Sequence, residues 1–302
     1  MSRIDEALAR AGRAMPADLP SVPTAPVGTI EPVFAPDDRA REPELGRASR
    51  QVEAAAVADL HDETLGAPTA SGSVRALPQS EKLIGAATTG PYVEQHRRLA
   101  GRLLMAQAER GTRVVMITSA LPGEGKTLTA ANLALTLSES YKRSVLLVDA
   151  DLRRPSIHQV LQIGNASGLN DGLRDAGRRL PLIRLTEHLS VLTAGRPEAD
   201  PMSVLSGDRM TRVIHEAAQR FDWVIVDTPP VALLTDAHLL SGLVDAAVLV
   251  IQTGRTPLAA IKTAVQAVGR ERILGVVMNR ADDAVHAAAY EYYGNYEVRT
   301  ER

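Results

Sequence analysis

The chain has 302 residues, 34 Lys and Arg against 36 Asp and Glu, and a formal charge of −2, so no global charge draws it to nucleic acid or to an acidic membrane surface. It contains no cysteine, which excludes disulfides and thiolate metal sites and suits a reducing compartment. No apolar run nears the roughly eighteen residues of a membrane span, and the opening Met1-Ser2-Arg3-Ile4-Asp5-Glu6 lacks the apolar stretch of a secretory signal, so a cytoplasmic protein is expected.

In chain order, Ser2 is placed to cap a short helix over residues 1–14, with Ile4, Ala7, Leu8 and Ala11 at helical spacing. An isolated helix of about twelve residues is marginal in water, so this one either docks on a partner or frays. Residues 15–90 read as a Pro/Ala-rich linker, mostly disordered. Nine of the eighteen prolines fall in the first eighty residues, and the helical character around Val52, Ala55, Ala56 and Leu60 would bury only a thin face. Structure is expected over residues 91–281. A helix at Tyr92–Gln107 precedes predicted strands at Val114–Ser119, Val145–Ala150, Leu189–Ala194, Trp223–Asp227, Ala246–Thr253 and Ile273–Asn279. Between them fall predicted helices at Lys126–Ser140, Met202–Arg220, Asp236–Val244 and Pro257–Arg272. The strands are continuous apolar runs, such as Val248-Leu249-Val250-Ile251, which suit parallel strands buried on both faces. The alternation predicts an α/β fold with a doubly wound, mostly parallel sheet and ligands at the carboxyl ends of its strands.

The chemistry concentrates at those ends. After the first strand, Ala120 is followed by Leu121-Pro122-Gly123-Glu124 and then by Gly125-Lys126-Thr127-Leu128, matching the phosphate-binding pattern G-x-x-x-x-G-K-[ST] with Ala in place of the first Gly. Gly123 and Gly125 let the backbone curl so that its N–H groups converge on an anion at a helix start. Lys126 then reaches the β- and γ-phosphates of a nucleotide, while the Thr127 hydroxyl takes a place on Mg²⁺. The second strand runs into Asp149-Ala150-Asp151-Leu152-Arg153-Arg154. Two carboxylates at i, i+2 are costly to bury unpaired, so they are either functional or part of a solvated loop tip. Trp223-Val224-Ile225-Val226-Asp227 looks like a Walker B strand, with Asp227 assisting the metal. Asp236 stands at a helix start as a candidate N-cap. Asn279-Arg280 ends the last strand, either beside a bound base or as a plain turn.

Four of the six tyrosines, Tyr290, Tyr292, Tyr293 and Tyr296, crowd into a tail of residues 282–302. Gly294-Asn295 interrupts any helix there, and the flanks Glu291, Glu297 and Glu301 are acidic, so the cluster reads as a phosphoacceptor rather than a core.

These motifs in this order resemble the bacterial tyrosine kinases of exopolysaccharide biosynthesis, a branch of the MinD/ParA-like P-loop ATPases. The likeness runs from about Pro91 to Arg302 and includes Thr193-Ala194-Gly195-Arg196-Pro197 and Pro201–Ser206. The opening Ser2–Leu8 and the stretch Glu94–Ala100 look most like the cytoplasmic autokinases of exosortase-type systems. The resemblance implies that Asp149, Asp151 and Arg153 form a Walker A′ motif, with Asp149 handling Mg²⁺ and activating the acceptor tyrosine. It implies ATP and Mg²⁺ as cofactors, a homo-oligomer, a protein-tyrosine phosphatase, and a membrane polysaccharide copolymerase in a separate chain. The last of these would hold the protein at the inner-membrane face. Two positions depart from pattern. Glu94 and Arg97 fit a Glu-x-x-Arg-x-x-Arg assembly motif, but Ala100 replaces the second Arg. Leu121 stands where partitioning ATPases carry a signature Lys, which counts against the alternative of a MinD-like ATPase switch without kinase activity. A non-catalytic nucleotide-binding scaffold is disfavoured by the full set Lys126, Thr127, Asp149, Asp151 and Asp227.

Overall fold

A computed structural model describes residues 64–70, 83–85, 88, 90–175 and 177–280. The expected N-terminal helix, most of the linker and the four tail tyrosines lie outside those residues.

A strand β1 (Leu65–Ala70) is followed by helix α1 (Pro91–Arg110) and strand β2 (Val114–Ser119). Helix α2 (Lys126–Leu135) widens into a π turn over Thr136–Ser140 before β3 (Val145–Asp149). Two short helices, α3 (Ile157–Val160) and α4 (Leu169–Arg174), lead to the strands β4 (Leu180–Arg184) and β5 (Leu189–Leu192). The remaining elements are α5 (Pro201–Leu205), α6 (Asp208–Arg220), β6 (Trp223–Asp227), α7 (Thr235–Ser241), β7 (Ala246–Gln252), α8 (Leu258–Val268) and β8 (Ile273–Asn279). They build one eight-stranded sheet in the order β1-β4-β5-β3-β6-β2-β7-β8. Every neighbouring pair is parallel except β4 and β5.

The pleat sorts the side chains onto two faces. Val115, Ile117, Leu147, Ile225 and Val250 meet α1 and α2 in one cluster with Ala100, Leu103, Leu133 and Leu137. Their sequence neighbours Leu146, Val148, Val224 and Val226 pack against α4 and α6. Met116, Leu249 and Ile251 face α8 through Ile261 and Ala264. Both faces are therefore dry, which is why the strands read as unbroken apolar runs.

Four sequence expectations are corrected here. The linker expected over residues 15–90 contains β1, because Leu65 is fully buried and its segment is clamped from α6. The carboxylate of Glu216 accepts the N–H of Thr64 at 2.8 Å and that of Leu65 at 3.1 Å. Arg220 donates to the carbonyls of Leu65 at 2.7 Å and Gly66 at 3.1 Å. The helix expected at Met202–Arg220 is two helices, since Gly207 takes an extended backbone and Asp208 restarts the first turn. A glycine interior to a helix costs about 1 kcal/mol relative to alanine, so the break is inexpensive there. Asp236 is not an N-cap: Leu234 occupies that position and Asp236 lies inside α7. Strand β4 has no counterpart in the expectations; its pattern Leu-Pro-Leu-Ile-Arg alternates, as suits a strand near the edge.

The clamp on β1 is testable. Glu216→Ala leaves the buried N–H of Leu65 unpaired, a loss of about 1–3 kcal/mol. Hydrogen exchange should show lost protection from Leu65 to Thr69 while β3 and β6 stay protected. Unchanged protection in β1 would assign the clamp no role.

Candidate active site

The phosphate loop is shaped from below by a buried acid. Glu124 accepts the Leu121 N–H at 2.7 Å with one carboxylate oxygen and the Thr256 hydroxyl with the other. Thr256 belongs to the turn after β7, where its hydroxyl also accepts the Gln252 N–H at 2.9 Å. From the end of β8, Asn279 Nδ2 donates to the Glu124 carbonyl at 2.8 Å and stands directly against Gly125. Gly125 has φ 95°, and a Cβ there would lie 2.1 Å from the Asn279 amide, so glycine is required twice over. Gly123, at φ 80°, completes the left-handed curl. Pro122 and Leu128 flank the curl. Leu121 packs against the α8 side of the core.

Strand register delivers the carboxylates. Asp149 and Asp227 are direct partners at the last rung of β3 and β6, side by side and fully buried. One oxygen of Asp149 accepts the N–H groups of Ser156 and Ile157, each at 3.0 Å. Its other oxygen and both oxygens of Asp227 are buried without a hydrogen bond. Lys126 Nζ lies 2.9 Å from Asp151 and 3.9 Å from Asp227, and donates to Thr127 Oγ1 at 3.3 Å. Thr127 Oγ1 is 3.0 Å from the Ser156 hydroxyl. Burial, joined by the charge of Asp227, pushes the Asp149 carboxyl up to about 8. Burial likewise pushes Asp227 up to about 6, with the charge of Lys126 opposing it. For Lys126, burial pulls downward, but Asp227 and Asp151 outweigh it and the ammonium is held above its ordinary value.

The structure thus brings together Lys126, Thr127, Asp149, Asp151 and Asp227. Arg153 faces elsewhere: its guanidinium is spent on Asp236 and on the Ala199 carbonyl. Asn279 frames the loop, and Arg280 beyond it reaches Gln252 at 3.4 Å. Ser156, Thr256 and Asp236 are site residues that the sequence reading missed or misplaced. Only Ser156 carried a signal, directly after the Asp-x-Asp-x-Arg run and Pro155.

Three buried carboxylate oxygens without a hydrogen bond, beside a threonine hydroxyl, form a hard-oxygen donor set that fits a divalent cation. Among the described residues no group of three or more acids or histidines is placed to hold a metal by itself, so phosphate oxygens would complete the shell.

Tyrosine-protein kinase YwqD of Bacillus subtilis (strain 168) is 38% identical over 205 residues, which are 67% of this chain and 86% of that protein. The chain belongs to the bacterial tyrosine-kinase family. The kinase domain of Escherichia coli tyrosine kinase ETK superposes on this kinase with a TM-score of 0.59 at 28% identity, covering 67% of this chain and 87% of that domain. The kinase is also 31% identical over 220 residues to the succinoglycan biosynthesis transport protein ExoP of Rhizobium meliloti (strain 1021), covering 68% of this chain but 28% of ExoP. The family described as ParA, NUBPL iron-transfer P-loop NTPase, matches residues 110–293. That match makes the kinase a nucleotide-binding P-loop NTPase by family. Iron transfer has no thiolate to act through in a chain without cysteine.

The raised carboxyls have a thermodynamic sign. The folded kinase holds a proton on Asp149 up to about pH 8, whereas an unfolded aspartate releases it near pH 4, so this group's contribution to stability falls as pH rises through that window. Asp149→Asn keeps an oxygen for the Ser156 and Ile157 N–H groups and removes the ionisation. In metal-free and nucleotide-free buffer it should melt above the parent at pH 8–9, by about 2–4 °C per kcal/mol recovered, with the gap closing toward pH 4. A gap that does not change with pH would mean that Asp149 stays ionised at no cost.

Proposed function

We propose that the chain is an ATP-dependent, Mg²⁺-requiring protein-tyrosine autokinase that phosphorylates its own C-terminal tyrosines and regulates polysaccharide polymerisation and export. The observation that carries the reading is the convergence of Lys126, Thr127 and the side-by-side carboxylates of Asp149 and Asp227, three of whose oxygens are buried without a hydrogen bond, at adjacent strand ends. Family membership supplies the reaction class, and the likeness to ExoP supplies the polysaccharide setting.

In this reading the backbone of Pro122 to Leu128 and the ammonium of Lys126 bind and orient the nucleotide phosphates, with Asn279 and Arg280 beside the base. Lys126 now leans on Asp151, and a phosphate would compete for it. Thr127, Asp149 and Asp227 would hold Mg²⁺, which would supply neutralisation of the charge that develops on the transferred phosphate. A tyrosine hydroxyl, with a pKa near 10, needs its proton removed to attack at neutral pH. The free oxygen of Asp149 would be the acceptor once a bound cation returns that buried carboxyl to its ionised form. The dry strand ends around it exclude water, which favours the phenol over hydrolysis.

The acceptors proposed are Tyr290, Tyr292, Tyr293 and Tyr296, delivered to a neighbouring subunit. Each phosphate adds about −1.5 to −2 charge, so several of them repel an acidic dock and loosen the assembly. A membrane copolymerase in a separate chain would supply activation and localisation, and a phosphatase would reset the tail. No helix of the described residues is long and apolar enough to cross a membrane.

Lys126→Met should abolish ATP turnover and phosphotyrosine while leaving the fold intact, read by anti-phosphotyrosine blot and circular dichroism. Changing the four tyrosines to Phe should remove the signal while ATP binding persists. In mixtures, label on the Lys126→Met chain beside an active four-Phe chain means transfer between subunits. If mass spectrometry of Mg·ATP-treated protein with its copolymerase finds no phosphate on any of the four, the reading yields to a MinD-like switch.

A further inference from the structure

The loop from Ala150 to Ser156 carries much of the site, and little of it is held by the sheet. Asp151 pairs with Lys126 at 2.9 Å, and the Ser156 hydroxyl lies 3.0 Å from Thr127. The Ser156 N–H is one of the two on Asp149. At its start the loop is tied to β6 by the Ala150 N–H on the Asp227 carbonyl, 2.8 Å. Its middle is tied by Leu152, whose side chain is buried and whose carbonyl accepts the Glu198 N–H at 2.8 Å.

The remaining anchor is Arg153. Its Nε donates to one oxygen of Asp236 at 2.6 Å, its Nη2 to the other at 3.2 Å, and its Nη1 to the Ala199 carbonyl at 3.2 Å. Asp236 is 2% exposed, and Arg153 is its ion-pair partner. This is the two-pronged fork in which Arg and carboxylate match in shape as well as charge, and which Lys cannot copy. The guanidinium itself is held above its ordinary pKa, chiefly by its hydrogen bonds to Asp236. Asp236 follows the loop that leaves β6 after Asp227. The fork therefore cross-links the loop after one catalytic strand to the helix after the other.

We propose that Asp236 is a positioning residue of the phosphotransfer site, gripping Arg153 so that Asp151 and Ser156 are held against Lys126 and Thr127. This rests on the kinase reading. It assigns Arg153 to the loop's geometry and not to the nucleotide phosphates, because all three kinds of guanidinium nitrogen are engaged by the protein. A shift of about 1 Å in a reacting group costs on the order of 10²-fold in rate, whereas the phosphate loop's own backbone, which sets nucleotide affinity, is framed by Glu124, Thr256 and Asn279 and stays in place.

The test uses the full chain with Mg·ATP and a double-mutant cycle of Asp236→Asn, which keeps shape, and Arg153→Lys, which keeps charge. Each single variant should lower kcat by about 10- to 100-fold with KM for ATP changed less than about 3-fold, and the double variant should be no slower than the slower single. Asp236→Glu, which restores the charge, should recover part of kcat. Arg153→Lys alters a side chain about one-third exposed, so it reports even if Asp236→Asn folds poorly. A rise in KM for ATP confined to Arg153→Lys would overturn the proposal by making Arg153 a phosphate ligand. So would additive losses, or a lowered melting temperature with kcat per folded molecule unchanged. If the parent hydrolyses ATP but yields no phosphotyrosine, the kinase reading fails, while the same cycle read on hydrolysis still decides the role of Asp236.

Discussion

Two carboxylates placed side by side on one buried rung of adjacent strands, Asp149 and Asp227, are the costliest arrangement in this fold, and the surroundings are organised about that cost. Parallel register fixes them there, since Val145 to Val148 pair rung by rung with Trp223 to Val226 and bring the two strand ends level. The protein offsets the expense only in part: two N–H groups reach one oxygen of Asp149, and a single ammonium approaches Asp227 at 3.9 Å. Buried charge is ordinarily paired or neutralised. Leaving three oxygens unsatisfied keeps the site ready for positive charge and for a proton, which is what phosphoryl transfer to a phenol requires.

The phosphate loop is cradled by residues far off in sequence. Glu124 reaches Thr256 after β7, and its carbonyl is reached by Asn279 at the end of β8. Those two strands add little chemistry themselves, yet the curl at Gly123 and Gly125 has its shape because they hold it. Ala100 shows the reverse relation. It occupies the place of the second Arg in the assembly motif, and it is fully buried under α1 among Leu103, Leu133 and Leu137. An Arg at that point would have to displace the core.

Much of this was legible in the sequence. The continuous apolar strands, the Lys126-Thr127 pair, and the polar residues at strand ends follow from local pattern alone, and the structure sets them in one mostly parallel sheet with the loop at its carboxyl edge. What was not legible depended on distant contacts. Strand β1 has the composition of a linker, Leu-Gly-Ala-Pro-Thr-Ala, and pairs only because β4 offers an edge and α6 supplies Glu216 and Arg220. Asp236 resembles any helix-start acid until Arg153 is found 83 positions earlier. The α5–α6 break was readable in Ser206-Gly207-Asp208, and the long amphipathic run concealed it.

The anchoring of β1 also changes where the molecule is held. Because Thr64 and Leu65 are fastened to α6, a force applied at Thr64 would load the β1 edge of the sheet and the Glu216–Arg220 pair before it could reach α1. A pull transmitted to Thr64 is thus borne at the β1 flank of the sheet and by α6, and the carboxyl edge with its phosphate loop is spared the strain.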